Sequence, residues 1–159
     1  MVDLEELRGL IEEKGIEEAA ERLDWSDFED TVSEIFASNG FRTMKNFRFK
    51  TASRFEMDVV AVKNGMAVCA DCKHWGKGRS KTAGIKAAAL RQTGRVDEFK
   101  KFLKGNIIAL SRLGLLPGCK AYPLVVTLFE EELVNVEGCL VVPVWKLNSF
   151  LLEIEKYLP

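Results

Sequence analysis

The chain has 159 residues, of which 47% are hydrophobic and 30% are charged, and its formal net charge is -1. This length and composition suit one domain with a real hydrophobic core. No apolar run approaches the length of a membrane span and the acidic N-terminus is unlike a signal peptide, so we expect a cytoplasmic protein with no membrane partner.

The net charge hides a strongly uneven distribution. Residues 42–104 hold 16 of the 23 Lys and Arg but 5 of the 24 Asp and Glu. A basic segment of this kind is typical of a surface that binds a phosphate backbone, although it indicates no preference for a base sequence. The acidic residues are concentrated at the N-terminus, which argues against a general nucleic-acid coat protein.

The first 24 residues are predicted to form two short acidic helices around Gly15. We interpret residues 1–24 as an acidic helical extension and residues 25–159 as the main domain. The extension is expected to pack on the fold as a lid, since its charge would repel DNA.

The next predicted element is an amphipathic helix that ends near Ser38, before Asn39-Gly40. At about 100° per residue, Glu29 falls roughly 20° from Phe36, at the border of the apolar stripe. Asp30 and Glu34 project away from that stripe. Glu29 is therefore the acid of this helix that we expect nearest the core, unless it is an ordinary boundary glutamate.

A β-hairpin is predicted from two strand-like runs, 55–62 and 66–73, which are joined by Asn64-Gly65. Asn-Gly between two such runs is the strongest short hairpin signal, and a two-residue turn fixes the register.

This register places Asp58 opposite Asp71, with Lys73 on the same face. Directly opposed carboxylates have Cβ atoms about 5 Å apart, and their repulsion is about 3 kcal/mol at an effective dielectric near 20. We expect Lys73 or a divalent cation to offset that repulsion. Three other interpretations remain open: a solvated hairpin end with a stray pair of aspartates, a register altered by a bulge, and a structural ion pair between Lys73 and Glu56.

Later elements complete an α/β pattern. A helix is predicted from about Thr82 to Lys104, a helix or turn over 107–113, strands over 121–128 and 139–144, and a last helix over 146–157. This order predicts a mixed β-sheet with helices on both faces.

Taken together, the motifs resemble those of the PD-(D/E)xK nucleases, most closely the Mrr-type branch, to which the archaeal Holliday-junction resolvases are similar. The motifs are Phe28-Glu29, Asn39-Gly40-Phe41, the run 56–62, and Asp71-Cys72-Lys73. The resemblance covers about residues 25 to 104 and implies a restriction-endonuclease-like α/β fold. Two departures are the absence of a proline before Asp58 and an Asp at position 71, where relatives more often carry Glu.

The resemblance implies roles for individual residues. Glu29, Asp58 and Asp71 would gather one or two Mg²⁺ ions, or Mn²⁺, and Lys73 would orient or activate the attacking water. Gln92 would point from its helix to the active site, although a bond to nearby backbone is equally compatible with its position. The DNA contacts that we expect are Trp75, Lys77, Arg79, Lys81, Arg91 and Arg95, although the arginines would also suit a solvated helix surface.

The cysteines and the single histidine indicate no further site. Cys69 and Cys72 have a C-x₂-C spacing, but on a regular strand they point to opposite faces. We expect free thiols, and we expect His74, which lies on the face opposite Lys73, to be a bystander or a DNA contact.

The sequence therefore predicts a metal-dependent DNA endonuclease of the restriction or repair type. A non-catalytic DNA-binding relative of the same fold is one alternative, and a resolvase that cuts branched DNA as a homodimer is another. The sequence does not choose among duplex, branched, methylated or RNA substrates.

Overall fold

The structure, a computed structural model, describes residues 5–6, 9, 12, 25–74, 81–128 and 133–159. Residues 5, 6, 9 and 12 are helical. The rest of the predicted N-terminal extension, 1–24, lies outside the described residues, so the boundary at residue 24 stays a prediction.

The described residues from 25 to 159 form six strands and four α-helices. In chain order they are α1 (Trp25–Ser38), β1 (Arg42–Lys50), β2 (Arg54–Lys63), β3 (Met66–Lys73), α2 (Lys81–Leu103), α3 (Ile107–Leu113), β4 (Lys120–Thr127), β5 (Val134–Val136), β6 (Cys139–Pro143) and α4 (Val144–Leu152), followed by a 3₁₀ turn (Ile154–Lys156).

The strands form one mixed sheet in the order β1-β2-β3-β4-β6-β5. β2 runs antiparallel to both β1 and β3, β3, β4 and β6 run parallel, and β5 is antiparallel to β6. The predicted mixed sheet is confirmed. The last predicted helix is shorter than expected, because it ends at Leu152 and the chain then continues as the 3₁₀ turn.

Helices cover both faces of this sheet, as predicted. α1 and α4 pack against one face, where Phe28, Phe36 and Leu147 are buried. α2 and α3 pack against the other face, where Phe99 and Leu113 are buried. Among the described residues, no helix is both long enough and apolar enough to cross a membrane.

The alternation of side chains along β1 reverses at Asn46. Before this residue, Lys45 points to the α1 face, where it forms an ion pair with Asp30. After it, Phe47 packs on the opposite face, against α2. Asn46 has a φ of 52°, a left-handed conformation that Asn adopts more readily than most residues.

The alternation of side chains along β2 reverses at Asp58, which faces Asn46. Val59 belongs to the core on the α1 side, but Met57, two residues earlier, belongs to the core on the α2 side. The pairing of β1 with β2 keeps one register on both sides of this level and skips only Asn46 and Asp58. Both strands therefore reverse the faces to which their side chains point at the same level, while the register between them stays the same. Local irregularities of this kind change the direction of side chains next to active sites.

The pairing of β2 with β3 follows the predicted register from Lys63 opposite Met66 to Val59 opposite Ala70, and it ends there. The expectation that regular alternation and pairing with β3 continue through Asp58 is wrong. The reversal at Asp58 turns that side chain out of the regular alternation.

Candidate active site

Asp71 is the most enclosed acid of the site. It lies near the carboxyl end of β3 and is 5% exposed. Lys73 Nζ lies 3.0 Å from its Oδ2, and Arg95 Nη1 lies 3.2 Å from its Oδ1. A buried carboxylate requires positive partners of this kind, because its desolvation is otherwise too costly.

Arg95, which was predicted to contact DNA, also has partners within the protein. Besides Asp71, its Nη1 donates to Oε1 of Gln92 at 3.3 Å. Gln92 is fully buried, and its Nε2 donates to the main-chain oxygen of Cys69 at 2.8 Å. Gln92 thus joins α2 to β3 through a backbone hydrogen bond, and it also positions the arginine that holds Asp71.

Asp58 reaches across the point where β2 and β3 stop pairing. Its Oδ2 accepts a hydrogen bond from the main-chain N–H of Cys72 at 2.8 Å. The carboxylate therefore contacts β3 directly, one residue beyond Asp71.

The pKa of Asp58 is raised from 3.8 to about 7. Burial of the carboxyl group is the largest cause, and the Cys72 N–H opposes it. The charges of Asp71 and Glu29 raise the pKa further, as does a hydrogen bond to Asp71 that only the protonated acid donates. Two further acids of the candidate site, Asp71 and Glu29, therefore act on Asp58.

Glu29 lies on α1 and is partly buried. Its charge acts on Asp58, whereas its neighbour Asp30 is engaged by Lys45. Yet the described residues contain no group of three or more Asp, Glu, His or Cys side chains arranged to hold a metal ion. The three predicted acids thus converge electrostatically, while their side chains do not form a closed triad.

Asp71 also keeps an acceptor available. When both aspartates are ionised, its Oδ2 is buried and receives no hydrogen bond from the described residues. Lys73 is close enough for an ion pair with this oxygen, but the angle of approach does not make a hydrogen bond. A buried carboxylate oxygen in this state can accept a hard cation or a water molecule.

Glu56 and His74 both have partners away from Lys73. Glu56 Oε2 accepts a hydrogen bond from Arg48 Nε at 2.7 Å, so a structural ion pair between Lys73 and Glu56 is absent from the described residues. His74 packs its ring against Phe28, on the α1 side, with centroids 6.0 Å apart. Among the described residues, Lys73 forms its ion pair with Asp71.

The cysteines add no ligand set to the site. All four are free, as expected. Burial raises the pKa of the Cys69 thiol to about 12, so this side chain stays protonated in the core.

All of the predicted DNA contacts, including that of Arg95, stay predictions. Trp75, Lys77 and Arg79 lie outside the described residues. Lys81 begins α2, although its side chain is not described, and Arg91 is exposed on the same helix.

Thr127, which ends β4, was not predicted from the sequence. In the parallel pairing of β3 with β4, Thr127 lies beside Lys73. Its hydroxyl is buried and has no hydrogen-bond partner among the described residues. Nothing in the local sequence distinguishes this threonine, since its position depends on which strand becomes the neighbour of β3.

Comparisons with known proteins give a family match and a relative of similar length. A family model described as a restriction endonuclease, Mrr_cat, matches residues 20–122. An uncharacterized protein of Archaeoglobus fulgidus is 31% identical over 135 residues, which cover 84% of this chain and 94% of that protein.

A protein of Vibrio cholerae with a known crystal structure aligns with 99% of this chain, at 14% identity and a TM-score of 0.38. The chain spans 36% of the length of that protein.

Proposed function

This chain belongs to the Mrr_cat restriction endonuclease family, and we propose that it is a divalent-metal-dependent endonuclease that hydrolyses phosphodiester bonds of DNA. The observation that carries the proposal is the association of Asp58, Asp71 and Lys73 at the end of the β2–β3 pairing. Two carboxylates can hold a metal ion that makes a bound water more acidic, and an ammonium group can stabilise the charge that develops on a phosphate.

The two aspartates fit a divalent cation. Asp71 presents a buried oxygen, Oδ2, whose cationic neighbour is Lys73 at 3.0 Å, and burial, together with the charges of Asp71 and Glu29, raises the pKa of Asp58. Mg²⁺ typically takes one or two protein carboxylates and keeps several waters for a phosphate substrate. A site of two acids, with Glu29 acting at longer range, therefore suits Mg²⁺ or Mn²⁺.

Each residue has a defined part in this proposal. Asp58 and Asp71 hold the metal ion, which supplies charge stabilisation and a more acidic bound water. Lys73 donates to a phosphate oxygen or to the attacking water from its position beside Asp71. Arg95 and Gln92 keep Asp71 and the α2 helix in place, and Glu29 adds negative charge that strengthens cation binding.

The deciding experiment is a cleavage assay on linear, supercoiled and four-way DNA in Mg²⁺, in Mn²⁺ and in EDTA. We expect cleavage of at least one substrate in metal and none in EDTA. Preference for the four-way substrate would assign the resolvase activity. Binding without cleavage in any metal would contradict the nuclease proposal and favour a DNA-binding relative.

The matched control is Lys86→Ala, because Lys86 is exposed on α2 and has no part in the site. We expect this variant to cleave like the wild type, whereas Lys73→Ala should not.

A further inference from the structure

Thr127 carries a polar group that the fold leaves unexplained. The residue is 2% exposed, and its Oγ1 is buried without a hydrogen-bond partner among the described residues. Leaving a buried hydroxyl without a partner typically costs about 1–3 kcal/mol, so the group is expensive to keep unless something binds it. Valine has nearly the same shape and would avoid that cost.

The residues beside Thr127 in the sheet indicate the chemistry of a group that could bind its hydroxyl. On one side its paired residue is Lys73, and on the other side it is Pro143. The proline ring has no hydrogen-bonding group, so Lys73 is the polar lateral neighbour.

The side chains of Thr127 and Lys73 lie on the same face of the sheet. Along β4, Leu124 and Val126 belong to the core on the α1 side, and Val125 packs below α2. Alternation therefore points Thr127 to the α2 face. Asp71 points to the same face, since it contacts Arg95 of α2, and Lys73 follows it two residues later.

The position also suits a ligand. Lys73 and Thr127 end adjacent parallel strands, and in open α/β sheets ligands bind outside the carboxyl ends of such strands. The oxygen of Asp71 that forms an ion pair with Lys73 lies on this edge too. In a regular parallel pair, the strand spacing and rise put Thr127 roughly 8 Å from Asp71 between Cα atoms.

We propose that the Thr127 hydroxyl is a substrate-binding group, which donates a hydrogen bond to a non-bridging oxygen of the DNA phosphate that Lys73 engages. This inference rests on the proposed nuclease function and deepens it, because it names a second donor to the phosphate. An ammonium and a hydroxyl that converge on one phosphate oxygen supply charge and direction together.

The test compares Thr127→Val with Thr31→Val. Thr31 is also buried, but its Oγ1 donates to the main-chain oxygen of Asp27 at 2.8 Å, which makes it a control for a structural hydroxyl. We expect Thr31→Val to lower the thermal midpoint of unfolding with no effect on ligand binding. Thr127→Val should leave that midpoint unchanged or raise it, because it removes a hydroxyl that has no partner among the described residues.

The ligand readout uses inorganic phosphate at constant ionic strength, without metal, so that it does not depend on cleavage. Phosphate should raise the thermal midpoint of the wild type and of Thr127→Ser, which keeps the hydroxyl, but not that of Thr127→Val. In the cleavage assay, kcat/KM of Thr127→Val should fall by a factor of about 10 to 100, the usual scale for a lost hydrogen bond to a charged group.

The outcomes separate this inference from the proposed function. If the wild type cleaves DNA and Thr127→Val cleaves equally well with an equal phosphate shift, the inference is overturned and the nuclease function stands. A loss of stability in Thr127→Val like that in Thr31→Val, with the phosphate shift intact, would assign the hydroxyl to a buried structural water and also overturn it. If the wild type cleaves no DNA, the nuclease function fails, and the phosphate shift alone still decides the role of Thr127.

Discussion

Asp58 accepts the main-chain N–H of Cys72 at 2.8 Å, and this single hydrogen bond opposes the burial and the like charges that raise the pKa of Asp58 to about 7. An acid whose pKa is higher in the folded protein than in the unfolded chain binds more protons when folded. Its contribution to stability is therefore full below its ordinary pKa of 3.8 and is lost as the pH rises toward about 7.

We accordingly predict that Asp58→Asn stabilises the metal-free protein at high pH. The amide cannot ionise, so the free energy of unfolding of the variant should exceed that of the wild type by on the order of a few kcal/mol above about pH 8. The difference should shrink steadily as the pH falls toward about 4. Urea denaturation in EDTA across this range measures it, with the exposed Asp97→Asn as a control that shows no such trend. A difference that does not change with pH would contradict the assignment.

Metal binding should depend on both aspartates. We predict that Mn²⁺ titrated into the wild type gives a calorimetric binding heat that Asp58→Asn and Asp71→Asn largely lose, because each removes an anionic ligand. Affinity should rise between about pH 6 and pH 8, since the cation competes with the proton on Asp58. EDTA should reverse the binding. Wild-type heat in Asp71→Asn would show that the cation binds elsewhere.

Lys73→Ala should separate catalysis from binding. We predict that cleavage falls by a factor on the order of 100 or more, since the variant loses a group positioned to stabilise charge or handle a proton in the transition state. DNA binding in EDTA should change far less. Single-turnover cleavage at saturating metal and a binding titration measure the two effects. Cleavage at the wild-type rate with equal metal occupancy would refute the role of Lys73.

Glu29 and Glu34 lie on the same helix and provide an internal comparison. The charge of Glu29 reaches Asp58, so we predict that Glu29→Gln lowers the affinity for Mn²⁺ and the rate of cleavage. Glu34→Gln should affect neither, because Glu34 lies outside the charges that act on Asp58. Metal titrations of the two variants measure this directly. Equal losses in both would count against the position that we assign to Glu29.

Gln92→Leu should be destabilising although leucine suits a buried helix face. The substitution leaves the main-chain oxygen of Cys69 without its donor, and it removes the Gln92 oxygen that accepts a hydrogen bond from Arg95. We predict a loss of about 1–3 kcal/mol in the free energy of unfolding. Chemical denaturation measures it, and Thr93→Val, which removes a hydroxyl bonded within α2 itself, is the control that should lose less.

The fold could be predicted from the sequence where local patterns decide it. The Asn64-Gly65 turn fixed the register of the central hairpin, which the structure reproduces from Lys63 to Val59. β1 escaped prediction because its residues are largely exposed and polar, so its apolar alternation is weak. The three-residue β5 is too short to leave a pattern.

Within the candidate site, Asp58, Asp71 and Lys73 were accessible to sequence reasoning because they share one hairpin. The inward contact of Arg95 and the position of Thr127 were not, since one depends on how α2 crosses the sheet and the other on which strand pairs beside β3. Contacts between elements that are distant in the chain leave no local periodicity to detect.

The position of the Asp58 carboxylate depends on Asn46, the facing residue of the neighbouring strand, which has no reactive group. Asn46 is exposed, and its backbone conformation, not its side chain, turns the strand opposite Asp58. Grafting Asp58, Asp71 and Lys73 onto a regular hairpin of another protein would therefore reproduce the chemical groups without the geometry. An engineer who wished to transplant this site would have to carry over the left-handed residue of the neighbouring strand as well, or supply a glycine there.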